Sequence, residues 1–242
     1  GPSNRLFLNV LYLDVESVIG FNECRAVEER VRGPEFERRL QSLRDSELVD
    51  YFSVAAAKLP VLESLYQWFR ERHLAAETEP GRAFRRFQAE RGHALWLHAL
   101  YETLQEHFQR QDPQTRGWQT WPEEYRAPDS AAVWDFAAVN QERIEFFEFL
   151  QWQADEQLAR AGLRSLGLRL GIGLYQDLAV SADGSGSEVW ANRALYAQGA
   201  SIGAPPDEFS LNGQDWGVPP MIPARLVEAA YEPFVAALRA NM

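Results

Sequence analysis

Leu168–Val180 has the sequence LRLGIGLYQDLAV, and its pattern sets the expected fold class. The apolar positions are nearly continuous here, whereas the preceding stretch, residues 133–162, repeats Phe136, Val139, Ile144, Phe147, Leu150, Ala154, Leu158 and Ala161 at helical spacing. A helix followed by a short run that is apolar on both faces is the repeating unit of a parallel α/β protein. The expectation is therefore a buried parallel strand ending near Tyr175, with Asp177 at its C-terminal mouth. In a (β/α)8 barrel that mouth is where substrates are handled. Asp177 is accordingly a binding candidate or a turn cap, and the residues alone leave both open.

Downstream lies Gly203–Pro220, GAPPDEFSLNGQDWGVPP. Pro205, Pro206, Gly213, Gly217, Pro219 and Pro220 stop a helix or a central strand from passing through, so this is a loop. It nevertheless carries Phe209 and Trp216 beside Asp207, Glu208 and Gln214. Flat aromatic faces next to hydrogen-bonding groups suit a sugar, which has apolar C–H faces and a rim of hydroxyls. The competing reading is a packed surface loop whose Trp216 only covers the core.

Upstream, residues 5–15 (RLFLNVLYLDV) read as a short buried extended segment. Helical periodicity runs from Asn22 to about His73, where Pro34 and Pro60 suit first-turn positions, and again over residues 79–110 with Gly92 at a break. Asp112–Pro128 interrupts the helices, and Trp118 and Trp121 are expected to pack between them. Ser181–Ser187 is a turn-rich loop whose SADGSGS is not a phosphate-binding fingerprint. Residues 223–241 read as a helix kinked or restarted at Pro233.

The chain has 242 residues, 46 % of them hydrophobic, enough to build a core. Its net charge of −11 argues against nucleic acid or an anionic membrane as partner, since both attract basic surfaces. One cysteine, Cys24, forbids an internal disulfide and suits a reducing, cytoplasmic setting. No apolar run is long enough for a membrane span, and none has the form of a leader. His93 and His98 stand five apart rather than four, with no HExxH, and together with His107 are expected to be helix-surface residues rather than metal ligands. No cofactor is called for.

Gly203–Pro220 followed by Pro223–Met242, with the pattern PxxLxEAxYxPFxxxLRANM, resembles the bacterial 4-alpha-glucanotransferases, also called amylomaltases or disproportionating enzymes. Pro2–Asp14 is similar to the latter half of a family run that leads into an Arg-Leu-Phe-Leu-Asn-Pro-Leu-Tyr-like segment, with Val10 in place of Pro. Asp50, Tyr51 and Lys58, the Trp118–Trp121–Pro122 string, and Glu188 with Trp190 resemble further family strings. Gln176 departs from the Arg often found beside the strand-closing Asp.

This resemblance implies a partial (β/α)8 TIM-type barrel, α/β in class, mostly helical in this chain and with few strands. Its implied divisions are an early barrel segment (1–20), a helix-rich insertion (21–138) and a barrel helix, strand and cleft loop (139–242). It implies transfer of α-1,4-glucan segments by a retaining double displacement, with the catalytic carboxylates beyond Met242 and therefore no catalytic residue within the chain. The substrate-binding candidates are Asp177, Asp207, Gln214 and Trp216. The alternative from a different class is a helix-rich protein-binding module.

Overall fold

The computed structural model describes residues 1–241, and they are mostly helical. In chain order the helices are α1 (Arg25–Val31), α2 (Pro34–Arg44), α3 (Tyr51–Phe69), α4 (Glu79–Gln111), α5 (Ala131–Val139), α6 (Gln141–Gly167), α7 (Ser187–Ala191), α8 (Pro223–Glu228) and α9 (Glu232–Ala240). Two short strands, β1 (Gly203–Ala204) and β2 (Gln214–Asp215), pair antiparallel with Gly203 opposite Asp215 and Ala204 opposite Gln214. Among the described residues this small, unclosed sheet is the only one, which agrees with the few strands expected of a partial barrel.

Local chemistry sets the helix ends. The Asp50 carboxylate accepts from Ser53 N at 3.0 Å to start α3, and the Ser130 hydroxyl accepts from Val133 N at 3.3 Å to start α5. Pro34 sits in the first turn of α2, where its missing N–H costs nothing, whereas Pro60 lies inside α3 instead of opening a helix. Gly92 breaks α4 with φ 55° and ψ −142°, a conformation closed to other residues without strain. The long periodic stretch after residue 133 becomes α5 and α6, separated at Asn140, whose side-chain amide donates to Phe136 O at 2.8 Å. Pro233 restarts the C-terminal helix as α9, after Ala230 and Tyr231 take up positive φ.

Two compact units divide the chain. One comprises Asn9–Gly92 and Glu148–Gly173. Its core is an aromatic cluster in which Phe69 meets Phe149 at 5.0 Å and Phe84 meets Trp152 at 5.5 Å between ring centroids. Lys58 donates to the carbonyls of Leu11 (2.7 Å) and Leu13 (2.8 Å), fixing the single turn Val10–Tyr12. Residues 9–15 are thus built from 3-10 turns, not the extended segment read from their composition.

The other unit comprises Gly1–Leu8, His93–Phe147 and the residues from Leu174 onward. Trp121 and Trp190 are fully buried in it, 6.0 Å apart, with Tyr101 and Phe108 against Trp121. Each buried indole keeps a partner: Trp118 donates to Gly184 O, Trp121 to Gln105 Oε1 and Trp190 to Tyr125 O. Trp118 and Trp121 are packing residues, as expected.

The strand expected over Leu168–Val180 is absent. α6 runs on to Gly167, Arg169 turns the chain with φ 55°, and residues 171–180 are irregular. A buried parallel strand takes both its ladder and its burial from neighbours on either side. Among the described residues no strand flanks this one, so Ile172 and Tyr175 (87 % exposed) face solvent.

Candidate functional site

The β1–β2 hairpin brings three of the four predicted site residues together. Asp207 turns the chain at the tip: its Oδ1 accepts from Phe209 N at 2.9 Å and Ser210 N at 2.6 Å, and its own N–H donates to Ser210 O at 3.1 Å. The Ser210 hydroxyl then donates to Gly213 O at 2.8 Å. Gly213 has φ 71°, and a Cβ there would lie 2.7 Å from Ala204 O, so the return into β2 requires glycine. Asp207 therefore shapes the loop, and this carboxylate oxygen is engaged with backbone rather than pointing out as a ligand.

Gln214 pairs with Ala204 through its backbone, and its Oε1 accepts from Trp216 Nε1 at 3.0 Å. With the oxygen occupied, the Gln214 NH2 donors have no partner among the described residues. Trp216 is anchored through its backbone N–H to Ile202 O at 2.9 Å, while its side chain remains 46 % exposed. Phe209 on the same loop is 90 % exposed. Asp215 accepts from the Ser201 hydroxyl and from Gly217 N at 2.9 Å, and those hydrogen bonds hold its carboxyl below the usual carboxylate range. The hairpin thus offers two aromatic surfaces and an amide donor on a hydrogen-bonded frame, a combination suited to sugar C–H faces and hydroxyls.

Asp177 is not joined to this group. It is exposed in the irregular 171–180 segment and makes no hydrogen bond or ion pair among the described residues. The mouth position read from the sequence required the strand that is not there.

A polar cluster that the spacing of residues did not announce lies inside the same unit. Arg5 donates from Nε and Nη2 to Glu188 Oε1 at 3.0 and 2.5 Å, and its backbone N–H donates to Glu188 Oε2 at 2.8 Å. The Tyr196 hydroxyl donates to the same carboxylate at 2.6 Å. Asn4 donates to Ser187 Oγ at 3.1 Å, and His98 Nδ1 lies 2.7 Å from that oxygen, its ring stacked on Phe7 at 4.8 Å. His98, expected at the surface, is buried, and burial lowers its pKa to about 3. Its position three residues after Leu95 and one before Ala99, both buried, was the signal available for this. Sealed from solvent, the cluster fixes Gly1–Leu8 against α7. It positions backbone.

Burial also raises Glu102, on α4, to about 7, with the nearby charge of Glu106 adding to the effect. No group of His, Cys, Asp and Glu able to hold a metal ion occurs among the described residues. No helix among them is long and apolar enough to cross a membrane.

The whole chain, residues 1–242, matches a protein-family model described as 4-alpha-glucanotransferase. A 4-alpha-glucanotransferase of Haemophilus influenzae is 36 % identical over 247 residues, covering 99 % of this chain and 35 % of the relative. One from Mycobacterium tuberculosis is 35 % identical, covering 100 % of this chain and 31 % of the relative. Among solved structures, the amylomaltase of Corynebacterium glutamicum superposes with a TM-score of 0.71 at 30 % identity, over 99 % of this chain and 30 % of that one. The amylomaltase of Streptococcus agalactiae, solved in complex with acarbose, shares the fold with a TM-score of 0.72 at 18 % identity, over 98 % of this chain and 45 % of that one. The chain spans about a third of the length of these two curated relatives.

Proposed function

Because the chain belongs to the 4-alpha-glucanotransferase family, we propose that it supplies part of the glucan-binding cleft of an enzyme that moves α-1,4-glucan segments between oligosaccharides. The observation that carries this reading is the β1–β2 hairpin, in which an exposed Trp216 is tethered to Gln214 next to an exposed Phe209. Trp216 stacks on a glucose ring, the Gln214 amide donates to a hydroxyl, and the Asp207 turn holds the loop in shape.

The chemistry of such transfer is a retaining double displacement. A carboxylate attacks the anomeric carbon while a carboxylic acid about 5 Å away protonates the leaving sugar, and a second glucan hydroxyl then releases the covalent intermediate. On this reading both reacting carboxylates come from the part of the family's length that this chain does not span. Residues 1–20 and 139–242 contribute to the barrel and 21–138 form a helical insertion. The hairpin's part is to bind sugar and to shelter the intermediate from water, so that a sugar alcohol wins the second step.

Titration of the chain with maltoheptaose tests this, with Trp fluorescence as the readout. A saturable change that disappears in Trp216→Ala and weakens in Gln214→Ala is expected. An identical response in Trp216→Ala would overturn the reading.

A further inference from the structure

A second aromatic surface lies away from the hairpin in sequence and has no part in the proposed cleft. His93 and Trp96, on α4, stack with centroids 5.4 Å apart and planes 20° apart. Trp96 in turn stacks on Trp134 of α5 at 5.1 Å and 26°. The three rings make one near-parallel column joining two helices.

The core does not require this column. α4 turns Leu95, His98 and Ala99 inward, and α5 turns Val133, Phe136 and Ala137 inward. Trp134 leaves 52 % of its surface in solvent, His93 is exposed and Trp96 half-buried. The imidazole nitrogens of His93 make no hydrogen bond among the described residues, so the column ends in a polar group able to donate to or accept from a hydroxyl.

We propose that the His93–Trp96–Trp134 column is an accessory docking platform for an α-1,4-glucan chain. The half-exposed indole of Trp134 and the exposed imidazole of His93, at the two ends of the column, match a polyhydroxylated ring with apolar C–H faces. The partner is uncharged, in keeping with a chain of net charge −11 that repels nucleic acid and anionic lipid. The choice of α-1,4-glucan among neutral sugars rests on the proposed function. A platform of this kind would hold a long glucan on the protein while shorter segments are exchanged elsewhere, raising the local concentration of chain ends.

Affinity electrophoresis of the 242-residue chain in native gels containing soluble amylose tests the proposal, with circular dichroism to verify folding. Retardation of the unmodified chain is expected, with an apparent affinity lowered about two- to tenfold by Trp134→Ala. Trp134→Phe, which keeps a ring, should restore part of the loss, and His93→Ala, at an exposed position, should give a smaller loss. Retardation lost in Trp134→Ala but kept in Trp216→Ala supports the platform even if the hairpin binds no sugar. Trp134→Ala and His93→Ala both migrating like the unmodified chain, or an unmodified chain that is not retarded, overturns the platform. If Trp216→Ala alone abolishes retardation, the platform is wrong while the hairpin reading stands.

Discussion

Glu188 holds Arg5 by both carboxylate oxygens across 183 residues of sequence, and the two side chains are 7 % and 3 % exposed. Removing one charge from such a buried pair strands the other, which costs about 3–5 kcal/mol, whereas replacing both by apolar groups is often near neutral. Glu188→Ala should therefore lower the urea-unfolding free energy by about that amount, and the double variant Arg5→Met with Glu188→Leu should recover only part of it, because the Arg5 backbone N–H and the Tyr196 hydroxyl still lack their acceptor. A Glu188→Ala loss within about 1 kcal/mol of zero would show that the pair carries little stability.

His98 gives a pH dependence whose sign follows from burial. Its folded pKa of about 3 lies below the ordinary 6.5, so the unfolded chain takes up the proton first as the pH falls. The stability tied to a neutral imidazole is present above pH 6.5 and is lost as pH falls toward about 3, at about 1.4 kcal/mol per pH unit. Urea unfolding at pH 7, 6 and 5 should show a shallower decline for His98→Asn than for the unmodified chain. Parallel pH profiles would contradict the assignment.

Glu102 should act in the opposite direction. Its carboxyl is raised by burial, and secondarily by Glu106, from 4.5 to about 7, so the folded state favours the protonated acid. That contribution is complete below pH 4.5 and disappears as the pH rises through about 7. Glu102→Gln, which stays neutral, should melt increasingly above the unmodified chain as the pH goes from 4.5 to 8. A melting difference that does not change with pH would refute this.

The hairpin depends on the absence of a side chain at Gly203. A Cβ there would sit 1.9 Å from Gln214 O, inside any allowed contact, so Gly203→Ala should part β1 from β2. In a 15N-labelled sample the Trp216 indole resonance, identified with Trp216→Phe, should shift and broaden, while the indoles of buried Trp121 and Trp190 stay in place. The maltoheptaose response should fall with it. An unmoved Trp216 signal would mean that the loop holds its form without the strand pair.

What could be read from the sequence was what neighbours along the chain decide. The helices were visible because Val61, Leu62, Leu65 and Phe69 return to one face and all four are buried. The hairpin was recognisable as a loop carrying aromatics, though not as two paired strands, because pairs as short as Gly203–Ala204 and Gln214–Asp215 have no periodicity to detect. Leu168–Val180 misled because continuous apolarity reports what a segment needs, and a strand also requires partners that no local pattern supplies. The tie between Arg5 and Glu188 joins residues too far apart in sequence for spacing to reveal. Glu188 drew notice only through family resemblance, and Arg5 only as one residue of a run.

The strap of Gly1–Leu8 has a bearing on the order of events during translation. Ser3 O receives the N–H of Glu188, Pro2 O that of Asp183, and Arg5 O the side-chain amide of Asn241. Arg5 is thus synthesised 183 residues before Glu188 and 236 before Asn241, and at about 5–20 residues per second that delay lasts on the order of ten seconds or more. The unit built from Asn9–Gly92 and Glu148–Gly173 has all its segments earlier. Biogenesis should therefore pass through a nascent chain in which Gly1–Leu8 is still loose and open to proteases.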